Sequence, residues 1–371
     1  MSLSLARQIR PRRFADTVGQ DHVTEALRLS VANERVAAAY LLCGPRGLGK
    51  TTLARVLAMA LNCPNRAKGD GEPCGECSQC IAISSGTASF EVQEIDAASN
   101  RGVDDARELR ERLAYSATTS SGWRVIIVDE CHMLTKDAWN VLLKVLEEPP
   151  PRVVFIFATT ETDKVLGTIL SRVQRFDLRL QSVASLRAYL EGVCKAEGIE
   201  MEPGALLLVA RVAEGSFRDA LTRLDQLRSA GAFTEVAARQ ILGAPSEKVV
   251  LAGADVALSG NAERIGAMMD YLRGQDVATA PERVFHDILQ AVRDVRRQQL
   301  GLEVLGLSSA YMAAITRLAG THPVARSATV IVTAARYEAA IRQSFDPYLQ
   351  LEAFFLECAA SLAAADPAGA A

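Results

Sequence analysis

Residues 38–52 read AAYLLCGPRGLGKTT, and the fold follows from this run. A strand-length apolar segment, 38–43, passes directly into Gly44-Pro45-Arg46-Gly47-Leu48-Gly49-Lys50-Thr51, and a helical pattern over 50–62 comes next. This is the phosphate-loop spacing GxxxxGK[ST] in its required setting, strand before and helix after. Glycines let backbone N–H groups converge on phosphate oxygens, and the helix N-terminus adds the positive end of its dipole. Lys50 is expected to reach the β and γ phosphates of ATP and Thr51 to hold Mg²⁺ through its hydroxyl. The expected nucleotide-binding run is Gly44, Pro45, Arg46, Gly47, Leu48, Gly49, Lys50, Thr51 and Thr52. A chance glycine-rich turn is the alternative, and the strand–loop–helix context weighs against it.

The complement lies at 125–130, VIIVDE. A buried strand would deliver Asp129 at its C-terminal end, where parallel sheets place their ligands. Asp129 is expected in the Mg²⁺ shell, and Glu130 as the group that polarises the attacking water. Two carboxylates beside a phosphate loop favour hydrolysis over transfer to a small acceptor, so a kinase is the weaker reading. Further strand-length runs at 90–95, 123–128 and 153–159 alternate with helical patterns at 103–115 and 137–148. Strands separated by helices of this length predict a mostly parallel sheet covered on both faces.

Beyond residue 180 the β signal stops. Residues 182–242 read as about three short helices punctuated by Gly198, Gly215 and Gly231. From Pro245 the pattern is all-helical, with breaks near Gly260, Gly274, Gly306 and Pro323. The expected organisation is α/β plus all-α: a nucleotide-binding domain at 1–180 with a cysteine insertion at 63–80, a small helical domain at 181–243, a second helical domain at 244–362, and an unpatterned tail at 363–371.

The 41 basic and 44 acidic residues give a net charge of −3, so the whole-chain basic excess usual in a nucleic-acid binder is missing. Any DNA contact must come from a local patch or from charge pooled with partners. No apolar run approaches bilayer-spanning length, and the N-terminus lacks a secretory apolar core, so no membrane partner and a cytoplasmic location are expected. Cysteines in such a chain are metal ligands or buried thiols rather than disulfides. Cys63, Cys74, Cys77 and Cys80 form C-x10-C-x2-C-x2-C, with Pro73 and Gly75 supplying a tight turn. Four thiolates suit structural, tetrahedral Zn²⁺. The spacing also resembles that of iron–sulfur ligands, although the C-x3-C-P continuation is absent. Cys43, Cys131, Cys194 and Cys358 are expected to pack.

Four stretches then carry a resemblance to a known family: RPRRFADTVGQDHV at 10–23, GPRGLGKTTLARVLAMALNC at 44–63, EIDAASNRGVDDARELRE at 94–111 and WNVLLKVLEEPP at 139–150. The chain resembles the gamma/tau family of bacterial DNA polymerase III subunits, AAA+ motors of the clamp loader, and a four-cysteine insertion distinguishes that family from other AAA+ loaders. The resemblance implies an AAA+ parallel-sheet domain with zinc insertion, a helical lid and a C-terminal helical collar. It implies ATP, Mg²⁺ and structural Zn²⁺, and a ring-like pentamer with delta, delta prime and further gamma/tau copies that loads a sliding clamp onto primer–template DNA.

It also implies roles that spacing cannot give. Thr160 matches the first sensor near the γ-phosphate. Arg172, in Ser171-Arg172-Val173, matches the arginine that enters a neighbouring subunit's ATP site, with Val173 departing from the family's cysteine. Arg218, in Gly215-Ser216-Phe217-Arg218-Asp219, matches the second sensor, reaching the chain's own nucleotide. The catalytic set is thus Lys50, Asp129, Glu130 and Arg172. Arg101, Arg107 and Lys144 are candidates for DNA phosphates, with ordinary solvated charge as the plain alternative. Arg7, Arg10, Arg12 and Arg13 are expected to border the adenine pocket or a neighbouring subunit.

Overall fold

The computed structural model describes residues 4–86, 91–116, 122–274, 280–304 and 308–365. They form two compact units, one of residues 1–197 with 210–225 and the other of 198–209 with 226–371.

The first unit begins with α1 (Leu5–Gln8) and α2 (Asp21–Ala32). It continues through β1 (Ala39–Cys43), α3 (Lys50–Asn62), α4 (Ser78–Ser85), β2 (Val92–Asp96), α5 (Val103–Ser116) and β3 (Arg124–Asp129). After these come α6 (Lys136–Glu147), β4 (Val153–Thr159), α7 (Gly167–Leu170), β5 (Gln174–Asp177) and α8 (Val183–Glu197). The strands lie in the order β2-β3-β4-β1-β5, and every pairing is parallel. Side chains alternate between the faces, as the two-residue strand period requires. Tyr40, Leu42, Val125, Ile127, Val154 and Ile156 pack with α2 and α3. Leu41, Ile126, Val128, Phe155 and Phe157 pack with α5 and α6. Trp139 of α6 meets Phe157 with ring centroids 5.2 Å apart.

The expected strands at 38–43, 123–128 and 153–159 are present, shifted by at most one residue. The strand expected at 90–95 is observed as β2; Phe90 itself lies outside the described residues. Strand β5, Gln-Arg-Phe-Asp, is not among the expected strands. It is a largely exposed edge strand with one half-buried side chain, so it lacks the apolar run that marks the central strands. Such a short, charged edge also resists pairing with another sheet.

Four helices, not three, occupy 182–242: α8, α9 (Pro203–Val212), α10 (Phe217–Ala230) and α11 (Glu235–Leu242). Of these, α8 and residues 210–225 belong to the first unit. The second unit also comprises α12 (Glu247–Ser259), α13 (Ala262–Gly274), α14 (Pro281–Gln299), α15 (Ser309–Thr321), α16 (Val324–Gln343) and α17 (Pro347–Ala365). Its core centres on α14, whose Val284, Phe285, Ile288, Leu289, Ala291, Val292 and Val295 are buried at helical spacing. Breaks fall at Gly260 and at Pro323 as expected, while residues 275–279, which follow Gly274, and Gly306 lie outside the described residues. Helix α17 reaches Ala365, and residues 366–371 lie outside the described residues. No described helix is long and apolar enough to cross a membrane.

Candidate functional site

Parallel pairing brings the C-terminal ends of β1, β4 and β3 side by side, with Cys43 opposite Thr159 and Val128 opposite Phe157. The loop after β1, the threonines ending β4 and the acidic pair ending β3 are therefore neighbours, although far apart in sequence. The loop has the backbone that its glycines permit. Gly47 has φ +82° and Gly49, the residue before α3, has φ +96°. At Gly47 a Cβ would lie 2.0 Å from Ser216 Oγ, so no larger residue fits unless Ser216 moves. The backbone N–H of Arg218 donates to Gly47 O at 3.3 Å, which holds the segment 216–218 against the loop.

Lys50 is buried and donates to the carbonyls of Gly44 and Pro45 at 2.7 and 2.8 Å. Burial lowers its pKa; Glu130 and Asp129 oppose that, and Arg218 adds to it. Thr51 Oγ1 donates to Asp129 Oδ2 at 2.7 Å, and the N–H of Glu130 donates to Asp129 Oδ1 at 2.9 Å. Both carboxylate oxygens are thus committed, and the Thr51 hydroxyl is fixed beside the acid. Glu130 sits in the left-handed region at φ +47°, a conformation that an L-residue adopts at a cost. It turns the chain sharply off β3. Glu130 Oε2 accepts from Thr160 Oγ1 at 3.3 Å.

A histidine missed by the sequence reading completes this corner. His132 Nδ1 is 3.1 Å from Thr159 Oγ1 and 3.5 Å from Glu130 Oε2, while Nε2 is 3.2 Å from Glu161 Oε1. It fastens the turn after β3 to the end of β4, and its one sequence signal was proximity to the acidic pair.

The loop, Lys50, Thr51, Asp129 and Glu130 line a cleft. Its polar part is Arg46, Gly47, Gly49, Lys50, Thr51, Thr52, Asp129, Glu130 and Arg218; the apolar part includes Ile9, Pro11, Val18, Tyr189, Phe217 and Leu221. The Tyr189 and Phe217 rings meet edge-to-face at 5.0 Å, and burial raises the tyrosine pKa to about 12. Arg10 also lines the cleft; burial lowers its pKa, and Arg55, Arg218 and Arg7 reinforce this against the opposing Glu94. Cations held this close together favour a polyanionic ligand, and the adjoining apolar wall suits a planar base.

The remaining expected residues divide. Arg218 is exposed and lines the cleft. Arg172 does not line it: its guanidinium donates to Thr168 O at 2.9 Å, Ser171 Oγ at 3.1 Å and Glu147 Oε1 at 2.9 Å. Arg101 and Lys144 are exposed, and Arg107 is exposed and pairs with Asp104 at 3.0 Å. Of the four N-terminal arginines, Arg10 lines the cleft. Arg13 instead donates from Nε and Nη2 to Cys74 O at 3.2 and 2.7 Å, and Arg12 Cβ lies 3.4 Å from where a Gly75 Cβ would be. These two face the cysteine cluster.

In that cluster the Sγ atoms of Cys63, Cys74, Cys77 and Cys80 all lie within 4.8 Å of one another. A tetrahedron with Zn–S bonds of ~2.3 Å has S···S edges of ~3.8 Å, so the donor set fits Zn²⁺. Backbone N–H groups point at the sulfurs: Cys74 N to Cys63 Sγ at 3.3 Å, Cys77 N to Cys74 Sγ at 3.3 Å and Cys80 N to Cys77 Sγ at 3.5 Å. Such N–H···S bonds favour thiolates. At Cys74 the N–H groups of Glu76 and Cys77 pull the thiol down to about 6, whereas burial pushes Cys63 and Cys80 up. Cys43, Cys131, Cys194 and Cys358 are buried, as expected.

Residues 19–182 match the family described as DNA polymerase III, delta subunit, and residues 185–232 the one described as DNA polymerase III clamp loader subunit, ATPase lid domain. The chain is 42% identical over 308 residues to DNA polymerase III subunit gamma/tau of Mycobacterium tuberculosis (strain ATCC 25618 / H37Rv), covering 79% of this chain and 50% of that one. It is 38% identical over 304 residues to DNA polymerase III subunit tau of Escherichia coli (strain K12), covering 81% and 46%. With DNA polymerase III subunit tau of Bacillus subtilis (strain 168) it is 44% identical over 223 residues, covering 60% and 39%. The chain spans about half the length of the curated relatives it matches.

Proposed function

The chain belongs to the gamma/tau family of DNA polymerase III subunits, and from that membership we propose that it is an ATP-hydrolysing motor subunit of a clamp loader. The observation that carries the proposal is the meeting, in one cleft, of Lys50, the Thr51–Asp129 hydrogen bond at 2.7 Å and Glu130 bonded to Thr160. In this reading the N–H groups of 46–52 and Lys50 hold the triphosphate, and the apolar wall with Tyr189 and Phe217 holds the base. Thr51 and Asp129 would hold Mg²⁺, which neutralises charge between the β and γ phosphates. Glu130, kept in place by Thr160, orients and polarises the attacking water. Arg218 meets the γ-phosphate of its own chain's nucleotide.

Arg172 acts in trans, in the site of an adjoining subunit. The support is that its side chain is exposed at 36% and turned onto Glu147 rather than lining its own cleft. A surface pair of this kind is worth about 0–1 kcal/mol and is readily exchanged for a triphosphate.

Cys63, Cys74, Cys77 and Cys80 hold a structural Zn²⁺. Residues 181–243 act as a lid and 244–362 as a collar joining subunits. The partners are delta, delta prime and further gamma/tau copies in a ring-like pentamer, a sliding clamp and primer–template DNA. Arg101, Arg107 and Lys144 contact DNA phosphates. ATP turnover by the assembled subunits, with and without clamp and primed DNA, tests this: stimulation by both together is expected. Turnover indifferent to both would refute the clamp-loading role.

A further inference from the structure

The segment that walls the base side of the cleft is held from behind by the cysteine module. Ile9, Arg10 and Pro11 line the cleft at one end of this segment, and Asp16, Thr17 and Val18 at the other. Between them the chain makes a tight turn, with Asp16 N donating to Arg13 O and Thr17 N to Phe14 O at 3.3 and 3.0 Å. The middle of the turn is bound to the module and not to the cleft. Glu72 accepts the N–H of Phe14 at 2.9 Å on Oε2 and that of Ala15 at 3.1 Å on Oε1. Arg13 donates twice to Cys74 O. Phe14 is buried in the same core as Cys63 and Cys80.

These contacts join the turn to the loop between Cys63 and Cys77. That loop is otherwise a run of turns with no helix or strand, since α4 begins only at Ser78. The 66–71 part of the loop is tied to α2, by Arg66 to Val31 O at 3.3 Å and Arg28 to Asp70 at 3.8 Å. A cross-link among the four sulfurs fixes the part from Glu72 to Cys77, where Glu72 and Cys74 O lie. We infer that the cysteine module is a positioning element of the nucleotide site: through Glu72 and Arg13 it fixes the turn 13–17 and so the base-binding wall, making nucleotide affinity depend on the integrity of the module. The inference rests on the ATP reading given above. It assigns Glu72 and Arg13 as positioning residues, since neither lines the cleft.

The dependence is selective. The phosphate loop, Lys50 and the acidic pair are held by β1, β3 and the N-terminal end of α3, whereas the module adjoins the C-terminal end of that helix at Cys63. Damage to the module therefore weakens recognition of the base and leaves grip on the phosphates little changed, since of the cations lining the cleft only Arg10 lies on the held segment while Arg46, Lys50 and Arg218 do not. The test compares Mg²⁺–ATP with Mg²⁺–tripolyphosphate, by calorimetric titration of the wild-type chain, Arg13→Ala, Glu72→Gln and wild-type chain stripped of metal. Zinc per chain and the circular dichroism spectrum are recorded alongside.

Glu72→Gln presents one acceptor and one donor to two backbone donors, so it loses one charge-assisted hydrogen bond; a loss of that size corresponds to about tenfold in affinity. Expected is ATP affinity lowered about tenfold in both variants and at least as much in stripped protein, with tripolyphosphate affinity within about twofold of wild type throughout. Unchanged ATP affinity in both variants overturns the inference, as does an equal loss for tripolyphosphate. If wild-type chain binds neither ligand, the ATP reading itself fails; if it binds ATP and the variants match it, only the present inference does.

Discussion

Replacing Gly47 with alanine tests whether the phosphate loop and the segment 216–218 act as one site. Two costs follow from the structure. At φ +82° an alanine is strained by about 1–2 kcal/mol. Its Cβ would also sit 2.0 Å from Ser216 Oγ, 3.2 Å from Ser216 Cβ and 3.3 Å from Arg218 Cβ. Overpacking of this kind costs about 1–3 kcal/mol if the contact is kept. Releasing 216–218 is cheaper, because the visible loss is the hydrogen bond from Arg218 N to Gly47 O, about 1 kcal/mol. The chain should therefore release the segment, drawing Arg218 away from the loop.

Nucleotide binding must then restore the contact, so ATP affinity should fall by about 2 kcal/mol, or roughly thirtyfold. Ser216→Gly provides the control. It removes both the Oγ and Cβ obstacles, and glycine replaces serine ahead of a helix for only a few tenths of a kcal/mol. The hydroxyl lost is the one accepting from Asp219 N at 3.2 Å. In the Gly47→Ala background it should recover about 1 kcal/mol, giving clear non-additivity. Additive effects across the four proteins, read as ATP dissociation constants, would refute the reasoning.

Three further outcomes are expected. Arg172→Ala should bind ATP in its own cleft within about twofold of wild type, yet lower hydrolysis at the adjoining subunit's site by about 10³-fold or more; assemblies mixing mutant and wild-type subunits check this, and a loss confined to the mutant's own site would contradict it. Cys77→Ser should lose stoichiometric zinc and become more sensitive to proteolysis between residues 63 and 80, read by metal analysis and fragment mapping. Arg101→Glu combined with Lys144→Glu should reduce the dependence of DNA-stimulated turnover on salt while leaving turnover without DNA unchanged.

Much of the α/β unit could be read from the sequence because its signals are local. The central strands are fully buried and so appear as unbroken apolar runs, and the phosphate loop needs its glycines at fixed spacing. The cysteine cluster was legible for the same reason, since a tetrahedral ligand set leaves a count and a spacing behind. Strand β5 was not, because an edge strand with three exposed residues in four carries no hydrophobic pattern. The base wall was also hidden: Tyr189, Phe217 and Leu221 lie on helices where they read as ordinary apolar positions, and only the fold brings them beside Ile9 and Val18. Arg13 and Glu72 resemble solvated charges in sequence. Their pairing is a contact between distant segments that no local period encodes. Arg172 was found through family likeness, and its bond to Glu147 had no sequence signal.

The most direct test of the central claim is made on Glu130→Gln, with Mg²⁺–ATP binding and turnover measured on the same preparation. Binding within about threefold of wild type, with turnover reduced by about 10²-fold or more, is the predicted result, because the loop and Lys50 remain while the group that activates water is lost. Turnover equal to wild type would contradict it, and so would the absence of ATP binding by the wild-type chain.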